Sequence, residues 1–174
     1  MAGLIGTSGI FAFRGGYKKI FNNGNIVEYP NPILRGVSQS IDSIDNTTIA
    51  LANSMISILR YRAPIEFLIK GSLYKGLAAP QIGIRKRLIV CGLFGEIKTM
   101  INPEILEQKG IFENSEYCLS LPGYNHRTIK RSQHVTVKYT TTQNTEKILV
   151  AKNSNAALLQ HEIDHLNGVL YIDY

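Results

Sequence analysis

The chain has 174 residues, a net charge of +6, and a composition that is 44% hydrophobic and 18% charged. This size and balance fit one soluble globular domain. No apolar run approaches the roughly 18 residues that a membrane-spanning helix needs, and two cysteines are too few for a disulfide-stapled secreted scaffold. We therefore predict no membrane partner.

The net positive charge favours an acidic partner, which makes the ribosome a candidate. The sequence has no dense Lys/Arg block and no RNA-binding signature, and we predict no DNA partner. Charge alone does not separate an RNA-facing surface from simple solubility, and the oligomeric state is left open.

The first 27 residues contain no Asp or Glu and include six glycines. We predict that residues 1–25 form an N-terminal extension, either an ordered arm or an organellar targeting segment, ahead of one folded domain over 26–174. An ordered arm fits a cytoplasmic protein. A transit segment would instead direct the chain to a mitochondrion or plastid.

The first predicted element is a helix over "SIDNTTIALANSMISILR", residues 43–60, because its apolar residues recur at helical spacing. Asp45 or Asn46 is suited to cap its start. The following stretch, 61–76, contains Pro64 and is predicted to be irregular.

Strands are predicted next, at 85–94 and at 99–106, where the Asn-Pro pair is expected to end the strand. Residues 134–140 alternate apolar and polar side chains, and 146–152 is the expected antiparallel partner of that strand.

A final helix is predicted to begin at a cap formed by Asn153, Ser154 or Asn155 and to end at Gly168. A helix, several strands and a last helix indicate an α+β domain, because helices and strands do not alternate as in βαβ units.

The final helix carries "HEIDH", which places His161 and His165 four residues apart on one helical face. Two neutral imidazoles bind a divalent cation, and the intervening Glu162 can take a proton from water activated by that metal. The alternative is an amphipathic helix with two surface histidines.

A catalytic metal needs a third protein ligand. After His165 the sequence offers only Asp173 as a conventional ligand, so the third ligand is expected upstream. The candidates are Cys118, His126, His134 and carboxylates. Cys118 is preferred because a thiolate is a strong ligand for zinc or iron.

Three stretches, "GLAAPQIG" (76–83), "EYCLS" (116–120) and "QHEIDH" (160–165), stand in an order that resembles the peptide deformylase family. The resemblance runs from about Ile26 to Tyr171. It implies a single α+β domain in which antiparallel sheets pack around a central HExxH helix, with a further helix near the N-terminus. The family's common bacterial form carries an additional C-terminal helix, so the chain resembles a short form.

The resemblance implies that Cys118, His161 and His165 bind one divalent metal ion, Fe(II) in cells, which zinc, nickel or cobalt can replace. The substrate would be an N-formylmethionyl peptide, cleaved to formate and a free N-terminus.

The resemblance also assigns roles at the reacting group. Glu162 would be the general base and then the acid, while Gln81 and the backbone N–H of Leu119 would donate hydrogen bonds to the formyl oxygen. Substrate binding is expected at Gly76, Glu116, Leu158, Tyr74 and Tyr117. We further predict that Asp164 faces away from the metal ligands and pairs with Arg131.

The chain departs from the family pattern where Tyr74, Lys75 and Tyr117 replace glycine, an apolar residue, and glycine or serine respectively. If those positions need a positive φ, the large side chains are strained; otherwise they reshape the cleft. The substitutions keep two alternatives open. One is a related metallohydrolase with a different N-acyl or N-terminal preference, and the other is a peptide-binding homologue without turnover.

Overall fold

The computed structural model describes residues 26–70 and 76–174, and for 61–70 it describes the backbone. The predicted extension at 1–25, together with Tyr74 and Lys75, lies outside these residues. Two α-helices and seven strands make up the described α and β structure: α1 Asn46–Lys70, β1 Gly76–Ala78, β2 Leu88–Leu93, β3 Glu96–Lys109, β4 Phe112–Glu116, β5 Arg127–Arg131, β6 His134–Thr140, β7 Glu146–Lys152 and α2 Asn153–Leu166.

The strands form two antiparallel sheets. The larger has the order β1-β2-β3-β6-β7, and β4 pairs with β5 in a separate two-stranded sheet. The predicted pairing of 134–140 with 146–152 is confirmed, and so is the α+β fold class. The sequence did not predict β4 and β5, and β4 supplies part of one wall of the functional site.

The strand expected to end at Asn102–Pro103 instead continues to Lys109 as β3, so that prediction was wrong. Between Ile101 and Glu104 the register against β6 shifts by one residue, which is a β-bulge. Asn102 adopts a positive φ of 49° there, and its side chain bonds the backbone of Ile41 through both its oxygen (2.9 Å) and its nitrogen (2.8 Å). The bulge absorbs the proline, which has no N–H for the ladder.

Helix α1 begins as predicted, because Oδ1 of Asp45 accepts a hydrogen bond of 2.8 Å from the backbone N–H of Thr48. The expected irregular stretch was wrong for residues 61–70, since α1 continues through Pro64 to Lys70. A proline removes one helical hydrogen bond but has a helix-compatible φ, and the residues after it include several good helix formers.

Helix α2 ends as predicted, with Gly168 in the left-handed conformation at φ 75°. Its predicted side-chain cap is not found: α2 lies wholly within the described residues and begins without a side-chain cap. Asn153 has a φ of 52°, and its Oδ1 instead accepts a hydrogen bond from Gln133 at 3.2 Å. The loop geometry, not a cap, sets the start of the helix.

Helix α2 packs its apolar face on the larger sheet. Leu159, Ile163 and Leu166 are buried with Ile89 and Met100 of the sheet. This contact fixes the rotation of α2 and so fixes which residues its other face presents. In the described part of the chain, no helix has the length and apolarity to span a bilayer.

Candidate active site

The metal-ligand candidates on α2 lie one helical turn apart, with the ring centroids of His161 and His165 separated by 4.9 Å. His165 is fully buried and His161 is partly buried. Because Ile163 and Leu166 face the sheet, the two imidazoles face the region between α2 and the β4–β5 hairpin.

The third member of the group is Cys118, which follows β4 and is buried. Its Sγ lies 3.2 Å from Nε2 of His165, and the ligand atoms of Cys118, His161 and His165 all lie within 4.8 Å of one another. The other upstream histidines are not part of this ligand group: His126 is exposed on the cleft wall, where it stacks on Tyr117, while His134 opens β6. Of the predicted alternatives, the structure brings Cys118 to the histidines.

The group fits a divalent metal ion. One thiol and two imidazoles are a donor set suited to zinc or iron. Glu116 lies 2.8 Å from Nδ1 of His161, which leaves Nε2 as that ring's ligand atom. Within the described residues, Oε2 of Glu162 is buried beside this group without a hydrogen-bond partner, a cost that a water molecule on a bound ion can relieve.

The protonation of the two histidines differs in the metal-free protein. Burial lowers the pKa of His165 well below its usual value, so this ring is neutral. Burial also acts to lower the pKa of His161, but hydrogen bonds to Cys118 and Glu116 raise it well above the usual value. Metal binding to the group would therefore displace a proton from His161.

A buried network of charged side chains contacts His161 at Nδ1, the ring nitrogen that is not the ligand atom. The carboxylate of Glu116 accepts hydrogen bonds from Nε (2.8 Å) and Nη2 (2.9 Å) of Arg131, and Nη1 of Arg131 reaches Asp164 at 2.6 Å. Burial acts to raise the pKa of Glu116, but the hydrogen bonds from Arg131 and His161 overcome it and lower the pKa to about 2. The predicted Asp164–Arg131 pair is confirmed.

Glu116 was expected to bind substrate, and the structure gives it other partners. Both of its carboxylate oxygens contact protein groups, Arg131 and His161, so it orients a metal-ligand candidate instead of presenting a free carboxylate to the cleft. The ring of Tyr174 covers the network, with the guanidinium carbon of Arg131 4.4 Å from the ring centroid.

Glu162 is the buried acid of the site. Burial raises its pKa to about 7, although the charge on His161 acts in the opposite direction. Its carboxylate fits against β1 only because residue 76 is glycine: a Cβ at Gly76 would overlap it. The sequence predicted Gly76 as a substrate contact, and the structure shows that its missing side chain also makes room for Glu162.

Gln81 is held at the same site by the short helix Ala79–Ile82. Its Oε1 accepts a 2.8 Å hydrogen bond from the backbone N–H of Ala78, which points Nε2 towards Cys118 Sγ at 3.4 Å and Ser120 Oγ at 3.3 Å. Leu119 follows Cys118 and lines the same cleft. The arrangement brings an amide donor and a backbone segment to the metal-ligand group.

The polypeptide deformylase family model matches residues 24–174. The chain belongs to this family. A peptide deformylase of Rhizobium meliloti (strain 1021) is 39% identical over 157 residues, which cover 86% of this chain and 83% of that protein.

Solved structures of the family have the same fold. The crystal structure of peptide deformylase from Thermotoga maritima superposes with a TM-score of 0.77 at 33% identity, covering 86% of this chain and 95% of that one. A Synechococcus elongatus peptide deformylase in complex with actinonin gives a TM-score of 0.75 at 33% identity, covering 86% and 76%. The predicted family and fold are confirmed.

The cleft beside the metal-ligand group is where this member departs from the family pattern. Tyr117 lines it and stacks on His126, with ring centroids 4.9 Å apart and planes at 25°. Tyr117 is not among the described residues with positive φ, so the substitution reshapes the cleft without backbone strain. Leu158 lines the opposite wall as expected, while Tyr74 and Lys75 lie outside the described residues.

Sequence reasoning missed other residues of this cleft. Ser154 and Ala157 line it from α2, and Asn114 and Ser115 line it from β4. For the two helical residues a signal was present, because they lie seven and four positions before His161 on the same helical face. For the strand residues there was none, since β4 was not predicted.

Proposed function

We propose that the protein is a metal-dependent hydrolase that removes the formyl group from N-formylmethionyl peptides and releases formate. The observation that carries this proposal is the convergence of Cys118, His161 and His165 beside the buried Glu162. Family membership and the likeness to solved deformylases support it further.

We infer that Cys118, His161 and His165 hold one divalent metal ion, with Fe(II) as the cellular metal and zinc, nickel or cobalt as replacements. When bound, such an ion supplies the Lewis acidity that activates water and polarises a carbonyl. Thiolate and imidazole ligands suit each of these ions, so the donor set supports the class of metal and not one element.

Glu162 acts as the proton carrier in this proposal. Its carboxylate takes a proton from the water that attacks the formyl carbon, and it returns the proton to the peptide nitrogen as the C–N bond breaks. A pKa near 7 suits both steps, and a nearby cation would lower it towards the base form.

Gln81 and Leu119 are proposed to stabilise the oxygen on which negative charge develops. The Gln81 amide is fixed by its bond to Ala78, so its Nε2 is oriented before the substrate arrives. Loss of one such donor typically costs about 3–4 kcal/mol of transition-state stabilisation. The proposed substrate contacts are Gly76, Leu158 and Tyr117 in the cleft, with Tyr74 proposed from the sequence alone.

A second candidate is a related metallohydrolase with another N-acyl or N-terminal preference. The observation that favours it is the Tyr117–His126 stack, which occupies a cleft wall where the family pattern has a small residue. A binding homologue without turnover is a third candidate, but a buried carboxyl with a pKa near 7 beside the ligand group favours an enzyme.

One experiment separates the three candidates. The protein is purified without oxygen, loaded with Fe(II) or Ni(II), and formate release is followed from formyl-Met-Ala-Ser, with the acetyl peptide as comparison. Turnover of the formyl peptide alone supports the deformylase, and turnover of the acetyl peptide supports the second candidate. One equivalent of bound metal with no turnover contradicts both enzyme proposals.

Two variants test the residue roles in the same assay. Glu162→Ala should keep the metal and lose the rate, because the carboxylate moves protons and is not a ligand. Cys118→Ala should lose the metal. Retention of one equivalent by Cys118→Ala would show that the ligand assignment is wrong.

We further propose residues 26–174 as the catalytic domain, 1–25 as an extension, and the cytoplasm as its location, with a mitochondrion or plastid as the alternative. The ribosome is retained as a candidate partner because of the +6 charge. Sedimentation with ribosomes over a range of salt concentrations tests that partner.

A further inference from the structure

The cleft extends well beyond the metal-ligand group along α2. Ser154, Leu158 and His161 lie on one helical face, together with Ala157. Ser154 and His161 are seven positions apart on the helix, a rise of about 10 Å along its axis. A side chain that starts beside His161 and lies along this wall would pass Leu158 and extend towards Ser154.

The opposite wall is β4, in which Asn114 and Glu116 point to the same side because strand residues alternate. Their side chains also contact each other, with Nδ2 of Asn114 3.4 Å from Oε1 of Glu116. Asn114 stands two residues farther from Cys118, about 7 Å along the strand. Both walls therefore become polar at the same end of the cleft.

That end of the cleft is also open to water. Asn114 is partly buried, while Ser115 and Ser154 are exposed. Methionine ends in an apolar thioether and methyl group, which gains nothing from an amide or a hydroxyl. A side chain with a polar tip would keep water or gain a hydrogen bond here, so it avoids the usual cost of burying a polar group.

We propose that this pocket accepts, besides methionine, an N-formyl residue of similar length whose side chain ends in a hydrogen-bond acceptor, and that methionine sulfoxide is such a residue. Methionine sulfoxide is the oxidised form of methionine, with a polar oxygen at the sulfur. The inference rests on the proposed deformylase function and adds a substrate class to it.

The reaction itself is unchanged for this substrate. Water adds to the formyl carbon, the C–N bond breaks, the amine takes the proton, and formate leaves. The sulfoxide is neither oxidised nor reduced. Asn114 and Ser154 act only on recognition, by offering an amide N–H and a hydroxyl to the sulfoxide oxygen.

The test compares kcat/KM of the metal-loaded protein for formyl-Xaa-Ala-Ser peptides in which Xaa is norleucine, methionine sulfoxide or glutamine. Norleucine has the shape of methionine without a polar atom, and glutamine is a second polar-tipped side chain. In the unmodified protein, kcat/KM for the sulfoxide peptide should lie within about tenfold of kcat/KM for the norleucine peptide.

Two variants make the test specific. Asn114→Leu and, separately, Ser154→Leu should each lower the sulfoxide-to-norleucine ratio by about tenfold, because a polar tip then meets an apolar side chain. Ser154 is exposed, so its variant remains informative if Asn114→Leu does not fold. Glu113→Gln is the matched control, since Glu113 is exposed and does not line the cleft, and it should leave the ratio unchanged.

Two results would overturn the inference. One is a kcat/KM for the sulfoxide peptide more than about a hundredfold below that for the norleucine peptide. The other is a sulfoxide-to-norleucine ratio of kcat/KM that neither leucine variant changes. If no formyl peptide is turned over, the proposed function fails, and the pocket is judged by calorimetry with the unformylated sulfoxide and norleucine peptides. The binding constants of the sulfoxide and norleucine peptides should then lie within about tenfold of each other, and each leucine variant should lower their ratio by about tenfold.

Discussion

Nδ1 of His161 lies 2.8 Å from Oε2 of Glu116, and that carboxylate is held in turn by Arg131. The contact joins a metal-ligand candidate on α2 to a strand of the smaller sheet. It fixes the ring orientation of His161 and leaves Nε2 as its ligand atom.

Glu116→Gln is expected to weaken metal binding by about 10- to 100-fold, because the amide cannot hold His161 as a carboxylate does. The measurement is the dissociation constant for Ni(II) or Zn(II), by competition with a chelator. Glu113→Gln removes a similar charge from the exposed side of the same strand and should leave the constant unchanged. Equal constants for both variants would contradict the orienting role.

The low pKa of Glu116 predicts a pH dependence of stability in the metal-free protein. The pKa of Glu116 falls from 4.5 to about 2 in the folded state, so its charged form stabilises the fold above about pH 4.5. That contribution is lost as the pH falls towards 2. The difference in free energy of unfolding between the unmodified protein and Glu116→Gln should therefore shrink from about pH 5 to pH 2.5, measured by urea unfolding. A constant difference over this range would contradict the low pKa.

Gly76→Ala is expected to lower kcat by roughly 100-fold while the metal remains bound, because the added methyl group displaces the Glu162 carboxylate. Metal content and formate release are measured on the same preparation. Gly123→Ala is the control, since a Cβ there meets no atom within 4 Å. An active Gly76→Ala protein would show that Glu162 tolerates displacement.

Asn102→Ala is expected to lower the free energy of unfolding by about 2–3 kcal/mol, because it removes two hydrogen bonds to the backbone of Ile41 and a residue suited to positive φ. Urea unfolding measures the loss. Asn102→Asp keeps the acceptor and loses the donor, so its free energy of unfolding should lie between those of the unmodified protein and Asn102→Ala. No loss in Asn102→Ala would mean that the bulge is held by the ladder alone.

Local patterns predicted the elements that carry local signals. The spacing of His161 and His165, the cap at Asp45 and the end at Gly168 depend on residues within one or two helical turns, and all are found. Ligand chemistry favoured Cys118, which lies far from the histidines in sequence, and the resemblance implied the same residue. The structure places it next to His165.

What the sequence did not predict depends on pairing between distant segments. Strands β4 and β5 have no strong apolar alternation, so neither they nor the Glu116–His161 contact was expected. The Asn102–Pro103 pair predicted a strand end, and that prediction failed because Asn102 is held by a hydrogen bond to Ile41, which lies far away in sequence. The close approach of Glu162 to Gly76 was also not predicted, because the position of Glu162 relative to β1 exists only in the folded state.

The ligand group joins two parts of the chain that are otherwise far apart in sequence, with Cys118 after the small hairpin strand β4 and both histidines on α2. An ion held there acts as a cross-link between them. It closes the long loop of chain from 118 to 161 and binds only the folded form, so each increase in its free concentration stabilises the fold. Chelation should then weaken the attachment of the β4–β5 hairpin to α2, leaving it to the Glu116–His161 and Arg131–Asp164 contacts.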